Sequence, residues 1–130
     1  MIVLDASAAL AALQGEAGAV AVDALFETQS CAMSAVNMSE VTARLFAHGA
    51  TIRQARSIVG SLPIRVLPFD EYTGELTAAL LAPTKPYGLS IADRACIATG
   101  VQYDAPVFTM DRAWASVDVA AVVITVLDRL

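Results

Sequence analysis

The chain is poor in charge, and poorest in positive charge. Charged residues are 16% of its 130 residues, with 8 Lys and Arg against 13 Asp and Glu and a net charge of −5. That balance argues against a broadly basic surface of the kind that grips nucleic acid. Cysteine is scarce as well. Cys31 and Cys96 stand in apolar surroundings with no CxxC or Cys/His spacing, which reads as two free buried thiols rather than a zinc site or disulfide scaffold. No long apolar run is present: the longest stretch free of charge, Thr28 to Ser39, carries Gln29, Ser30, Ser34 and Asn37 and falls well short of a membrane span. Ile2 to Leu13 has no basic segment ahead of it and contains Asp5, so no secretory signal is expected and the chain reads as cytoplasmic, without membrane association.

Apolar residues, by contrast, are abundant. They make up 57% of the chain, with a mean hydropathy of +0.62, which excludes disorder and predicts a tightly buried core. The length suits one domain over residues 1–130.

Ile2-Val3-Leu4 is a short apolar run closed by Asp5, and Ser7 opens an Ala/Leu-rich segment to Leu13: strand, turn, helix. Gly15 and Gly18 precede a second helix over Val20 to Phe26. A brief strand surrounds Cys31 to Met33, and Ser34 caps a helix with Met38, Val41, Leu45 and Phe46 at helical spacing, stopped by His48-Gly49. His48, the only histidine, reads as a C-terminal cap. Thr51 begins a helix that Gly60 and Pro63 end; Ile64 to Phe69 is a strand; Asp70 to Leu81 is a helix with Tyr72, Leu76 and Leu80 on one face. Pro83 to Gly88 is the strongest loop signal. Ser90 opens a helix through Ile97 and Ala98, Pro106 to Met110 is a strand, Asp111 to Trp114 a helical turn, and Ala121 to Leu127 a last strand.

Near-continuous apolar strands separated by helices predict an α/β fold, a three-layer α/β/α sandwich with a mostly parallel sheet. In such sheets ligands bind beyond the carboxyl ends of the strands, where strand order reverses. Acids stand there. Asp5 follows the first strand and Asp111 the fourth, Glu40 lies early on the third helix beside Asn37 and Arg44, and Asp93 sits in the first turn of the helix opened by Ser90. Each has a structural reading of its own: Ser90 and Asp93 have capping-box spacing, Glu40 and Arg44 ion-pair spacing, and Asp111 can cap its turn. Asp5 is harder to explain that way, because an acid closing a buried strand is desolvated with no packing gain. Four carboxylates on one rim would repel one another unless a cation sat among them. Oxygen-only donors suit Mg²⁺ or Mn²⁺, and the chemistry to expect is metal-assisted attack of water on a phosphodiester.

Met1-Ile2-Val3-Leu4-Asp5-Ala6-Ser7-Ala8-Ala9-Leu10, Ser39-Glu40-Val41, Leu89-Ser90-Ile91-Ala92-Asp93-Arg94 and Val107-Phe108-Thr109-Met110-Asp111-Arg112-Ala113-Trp114 together resemble the PIN-domain ribonucleases, most of all the VapC-type toxins of bacterial toxin–antitoxin pairs. The resemblance spans essentially the whole chain and thins between Thr51 and Pro86. It implies a PIN fold, Mg²⁺- or Mn²⁺-dependent endonucleolytic cleavage of RNA, a homodimer, and inhibition by a cognate antitoxin protein. By position, Asp5, Glu40, Asp93 and Asp111 match the family's acidic quartet, as catalytic and metal-binding residues, while Ser7 and Thr109 match the small hydroxyl residues beside it. Lys85, Arg94 and Arg112 are candidates for gripping RNA, with Tyr87 and Trp114 as possible stacking surfaces. Trp114 reads better as core or dimer interface.

Other acidic α/β sites fit less well. A haloacid dehalogenase-type phosphatase wants DxDxT after the first strand and an adhesion-type metal site DxSxS; Ser7 and Ala9 break the first, Ala9 the second. A phospho-receiver domain would need an acidic pair near the first strand and a lysine after a later one. An RNA-processing nuclease outside a toxin pair, and an interaction module of the same fold with weak catalysis, remain the alternatives.

Overall fold

The structure, a computed structural model, describes residues 1–127; residues 128–130 of the expected single domain lie outside the described residues. Five short strands, β1 (Ile2–Leu4), β2 (Cys31–Ser34), β3 (Ile64–Leu67), β4 (Val107–Thr109) and β5 (Ile124–Val126), form one sheet in the order β3-β2-β1-β4-β5. Every pairing is parallel, with Val3 opposite both Ala32 and Val107. The helices are α1 (Ala6–Gln14), α2 (Ala19–Thr28), α3 (Ala35–Ala47), α4 (Ile52–Gly60), α5 (Glu71–Ala79), α6 (Leu81–Thr84) and α7 (Ile91–Tyr103).

The inner strands β1, β2 and β4 read as near-continuous apolar runs because both faces of the sheet are covered there, whereas the edge strand β3 carries Arg65 and leaves Val66 exposed. Ile2, Leu4 and Met33 pack with Ala8, Ala9, Val22, Met38 and Val41 of α1, α2 and α3. Val3 and Val107 pack instead with Cys96 and Ile97 of α7, Leu80 and Trp114. These two cores on opposite faces are the expected α/β/α sandwich. Both cysteines are free and buried, and Trp114, 1% exposed, is core rather than a stacking surface. No helix among the described residues is long and apolar enough to cross a membrane.

The caps lie where the side chains predict them. Ser34 accepts from the Val36 N–H, Thr51 forms a capping box with Gln54, Asp70 accepts from Thr73, and the His48 N–H closes α3 on Arg44 and Leu45. Three expectations need correction. The Pro83–Gly88 segment is not an open loop but the end of α6 followed by a 3₁₀ turn, Lys85–Tyr87, because Pro86 falls in a first turn where its missing N–H costs nothing. On α5 it is Thr73 and Thr77, not Tyr72, that face inward with Leu80; Thr77 donates its hydroxyl to the Thr73 carbonyl at 2.7 Å, so the polar atom is satisfied while its methyl packs, and Tyr72 is exposed. β3 ends at Leu67, two residues before Phe69, since Pro68 offers no N–H to its neighbour.

Candidate active site

β1 lies at the centre of the sheet with β2 on one side and β4 on the other, so the strand order reverses at the β1/β4 pair. The crevice beyond the carboxyl ends of those two strands is where such a fold binds ligands. Asp5 leaves β1 directly into it as the N-cap of α1, and Asp111, two residues past β4, caps the 3₁₀ turn Arg112–Trp114.

Asp5 is 5% exposed and fully engaged. Its Oδ1 accepts from the Ser7 hydroxyl at 2.7 Å and from the Ala8 N–H at 3.1 Å, and its Oδ2 accepts from the Thr109 hydroxyl at 2.5 Å. Both hydroxyls then accept from the end of β4: Ser7 Oγ from the Met110 N–H at 2.9 Å, and Thr109 Oγ1 from the Asp111 N–H at 3.0 Å. The two small residues thus lock one buried carboxylate to the ends of two neighbouring strands. Burial nevertheless lifts Asp5 from 3.8 to about 6; the bonds from Thr109, Ser7 and Ala8 oppose the rise, and the charge of Asp93 adds to it.

The remaining acids come from other elements. Asp93 forms the capping box with Ser90 at the start of α7, its Oδ2 accepting from the Ser90 N–H at 2.9 Å. Glu40 on α3 accepts from Asn37 Nδ2 at 3.0 Å, and Asp111 Oδ1 from the Ala113 N–H at 2.9 Å. Asp5, Glu40, Asp93 and Asp111 together line a single cavity of about 490 Å³, with Ser7 on its wall. Among the described residues, no three Asp, Glu, His or Cys side chains stand close enough to hold one ion between them.

A family model described as PIN domain matches residues 2–120. The chain belongs to the PIN domain family. No curated protein matches it, but solved structures do. VapBC2 of Rickettsia felis, bound to a DNA fragment from its promoter, is 12% identical over 98% of this chain and 100% of that one, with a TM-score of 0.75. VapC20 of Mycobacterium tuberculosis, a toxin that cleaves the sarcin-ricin loop, is 17% identical over 89% and 94%, TM-score 0.73. FitAcB of Neisseria gonorrhoeae is 24% identical over 95% and 96%, TM-score 0.70. At these identities the likeness is one of fold.

None of the three cations that the sequence offered for gripping RNA lines the cavity of this PIN domain. Lys85 and Arg112 are exposed and outside the cavity lining. Arg94, beside Asp93 in sequence, lies off the cavity: its Nη1 donates to the Thr77 carbonyl at 3.0 Å, tying α7 to α5, because successive helical residues point about 100° apart. The arginine on the cavity wall is Arg44, one turn beyond Glu40. Its helical spacing suggested an ion pair with Glu40, yet none joins them among the described residues. Sharing the stripe of Asn37 and Glu40 on α3 was the signal that could have placed it there.

Proposed function

We propose that the chain is a Mg²⁺- or Mn²⁺-dependent endoribonuclease, the toxin of a toxin–antitoxin pair, hydrolysing RNA phosphodiester bonds. The observation that carries this reading is the convergence of Asp5, Glu40, Asp93 and Asp111, from four separate elements, on one cavity at the switch point of the sheet. PIN family membership supports it. So do structural neighbours that are toxins or members of toxin–antitoxin systems, which supply the expectation of a cognate antitoxin.

The donor set fits a hard cation. It offers oxygens only, and Mg²⁺ keeps several of its waters and needs only one or two carboxylates beside a substrate phosphate, so a closed three-carboxylate cage is not required. One or two of Asp5, Asp93, Glu40 and Asp111 would hold an ion directly, the other acids reaching it through its waters, and the ion would activate water for attack and offset the charge developing on the phosphate. Ser7 and Thr109 hold Asp5 in one orientation, and the Ser90 N–H does the same for Asp93. Arg44 offers the one guanidinium on the cavity wall among the described residues and would draw the anionic RNA backbone toward the acids.

The test is incubation of the purified, antitoxin-free protein with total cellular RNA and Mn²⁺, beside Asp93→Asn and EDTA controls, with new RNA ends mapped by sequencing. Discrete ends made by the wild type alone are the expected result. A folded wild type that makes none contradicts the reading and favours an interaction module of PIN fold.

A further inference from the structure

Glu40 is the one acid of the four on an exposed stretch of helix, with a long side chain free to swing into solvent. What holds it inward is Asn37, one turn earlier on α3, which is 1% exposed. Asn37 Nδ2 donates to Glu40 Oε1 at 3.0 Å and to the Ala92 carbonyl of α7 at 3.0 Å, 55 residues away. Ala92 immediately precedes Asp93. One amide group therefore links the helix carrying Glu40 to the turn carrying Asp93.

The chemistry of the neighbours fixes which way the amide points. Both are acceptors, a carboxylate and a carbonyl, so only the NH₂ end, with its two protons, can face them. No other neutral side chain of this size donates two bonds from one atom. The opposite end of the amide is in deficit: Asn37 Oδ1 is buried and has no hydrogen-bond partner. An aliphatic residue would fill this interior site without stranding an acceptor, so packing alone does not explain an asparagine here. The two donated bonds do.

We propose that Asn37 is the positioning residue of the carboxylate site, setting Glu40 against the first turn of α7 and so fixing the separation of Glu40 from Asp93. The proposal rests on the metal-nuclease reading above. Groups that orient a metal ligand through a hydrogen bond change metal affinity or activity by about 10- to 100-fold when removed.

The decisive variant is Asn37→Leu, which keeps the branched shape but donates nothing; Asn37→Ala and Glu40→Ala complete the set. Thermal unfolding in EDTA reports folding, and a double-mutant cycle on Asn37→Ala and Glu40→Ala, which removes the acceptor, reports whether the two side chains are coupled in the absence of metal. Calorimetric Mn²⁺ titration and the split between kcat and KM for RNA report the site. The expected outcome is a folded Asn37→Leu whose Mn²⁺ affinity and kcat fall about 10- to 100-fold with KM little changed. In the Glu40→Ala background, Asn37→Ala should add less than about twofold, because its effect passes through Glu40. Wild-type Mn²⁺ affinity in Asn37→Leu, absent coupling in EDTA, or independent effects that multiply would each overturn the proposal alone. A wild type inert toward both Mn²⁺ and RNA would overturn the nuclease reading, and this proposal with it.

Discussion

The two ends of the sheet each carry a cleft of comparable size and opposite character. At the amino ends of β4 and β5, Asp104, Ala105, Pro106 and Ala120 to Val123 line a cleft of about 390 Å³ with mostly apolar walls, in which Asp104 is the only ionisable group among the described residues and serves as the left-handed C-cap of α7. At the carboxyl ends of β1 and β4, the cavity of about 490 Å³ holds four carboxylates, one of them buried and raised to about 6. Volume does not separate the two. Desolvated charge does: a fold bears the cost of burying Asp5 only where something else gains from it, and the Ser7–Thr109 network keeps that cost within bounds.

The contrast can be pressed hardest at Asp5. Asp5→Asn keeps the size of the side chain and removes its charge, so RNA cleavage should fall by about a thousandfold, as several kcal/mol of transition-state stabilisation would imply, while the fold survives by circular dichroism. Cleavage at the wild-type rate would break the distinction between the two ends. The opposite end should answer in stability alone. Gly100 of α7 sits so close to the sheet that an added Cβ would stand 2.4 Å from Val107 Cγ2 and 3.0 Å from the Ala105 carbonyl. Gly100→Ala should therefore destabilise by about 1–3 kcal/mol in thermal unfolding, with the specific activity of the folded fraction unchanged.

A smaller effect sharpens the same point. Because the folded protein binds the Asp5 proton more tightly than the unfolded chain does, the stability tied to that proton is full below the ordinary value of 3.8 and is lost as pH rises through about 6. In EDTA, between about pH 5 and about pH 7.5, the wild type should lose about 1 kcal/mol of stability relative to Asp5→Asn. Equal pH slopes would mean that the Asp5 carboxyl is not desolvated.

Strands buried on both faces announce themselves as apolar runs, and polar caps at Ser34, Thr51, Asp70, Ser90 and Asp111 bracket the helices by local chemistry, so most of the fold was legible from neighbours in sequence. The positions of Asp5 and Asp111 followed from the same logic, each standing just beyond a strand. What resisted was decided by contacts distant in the chain. Thr77 passes for a surface residue until its hydroxyl finds the carbonyl of Thr73, and Arg94 passes for a site cation until α5 offers it the Thr77 carbonyl. Asn37 looked like one member of a polar stripe; its reach to Ala92 exists only once α3 and α7 are packed.

The central claim is that the carboxyl-end cavity binds a divalent cation through its acids, and calorimetric titration of the metal-free protein with Mn²⁺ tests it most directly. The account predicts saturable binding by the wild type that Asp93→Asn abolishes and Gly100→Ala leaves intact. No binding to folded wild type at millimolar Mn²⁺, or binding that Asp93→Asn leaves unchanged, would contradict it.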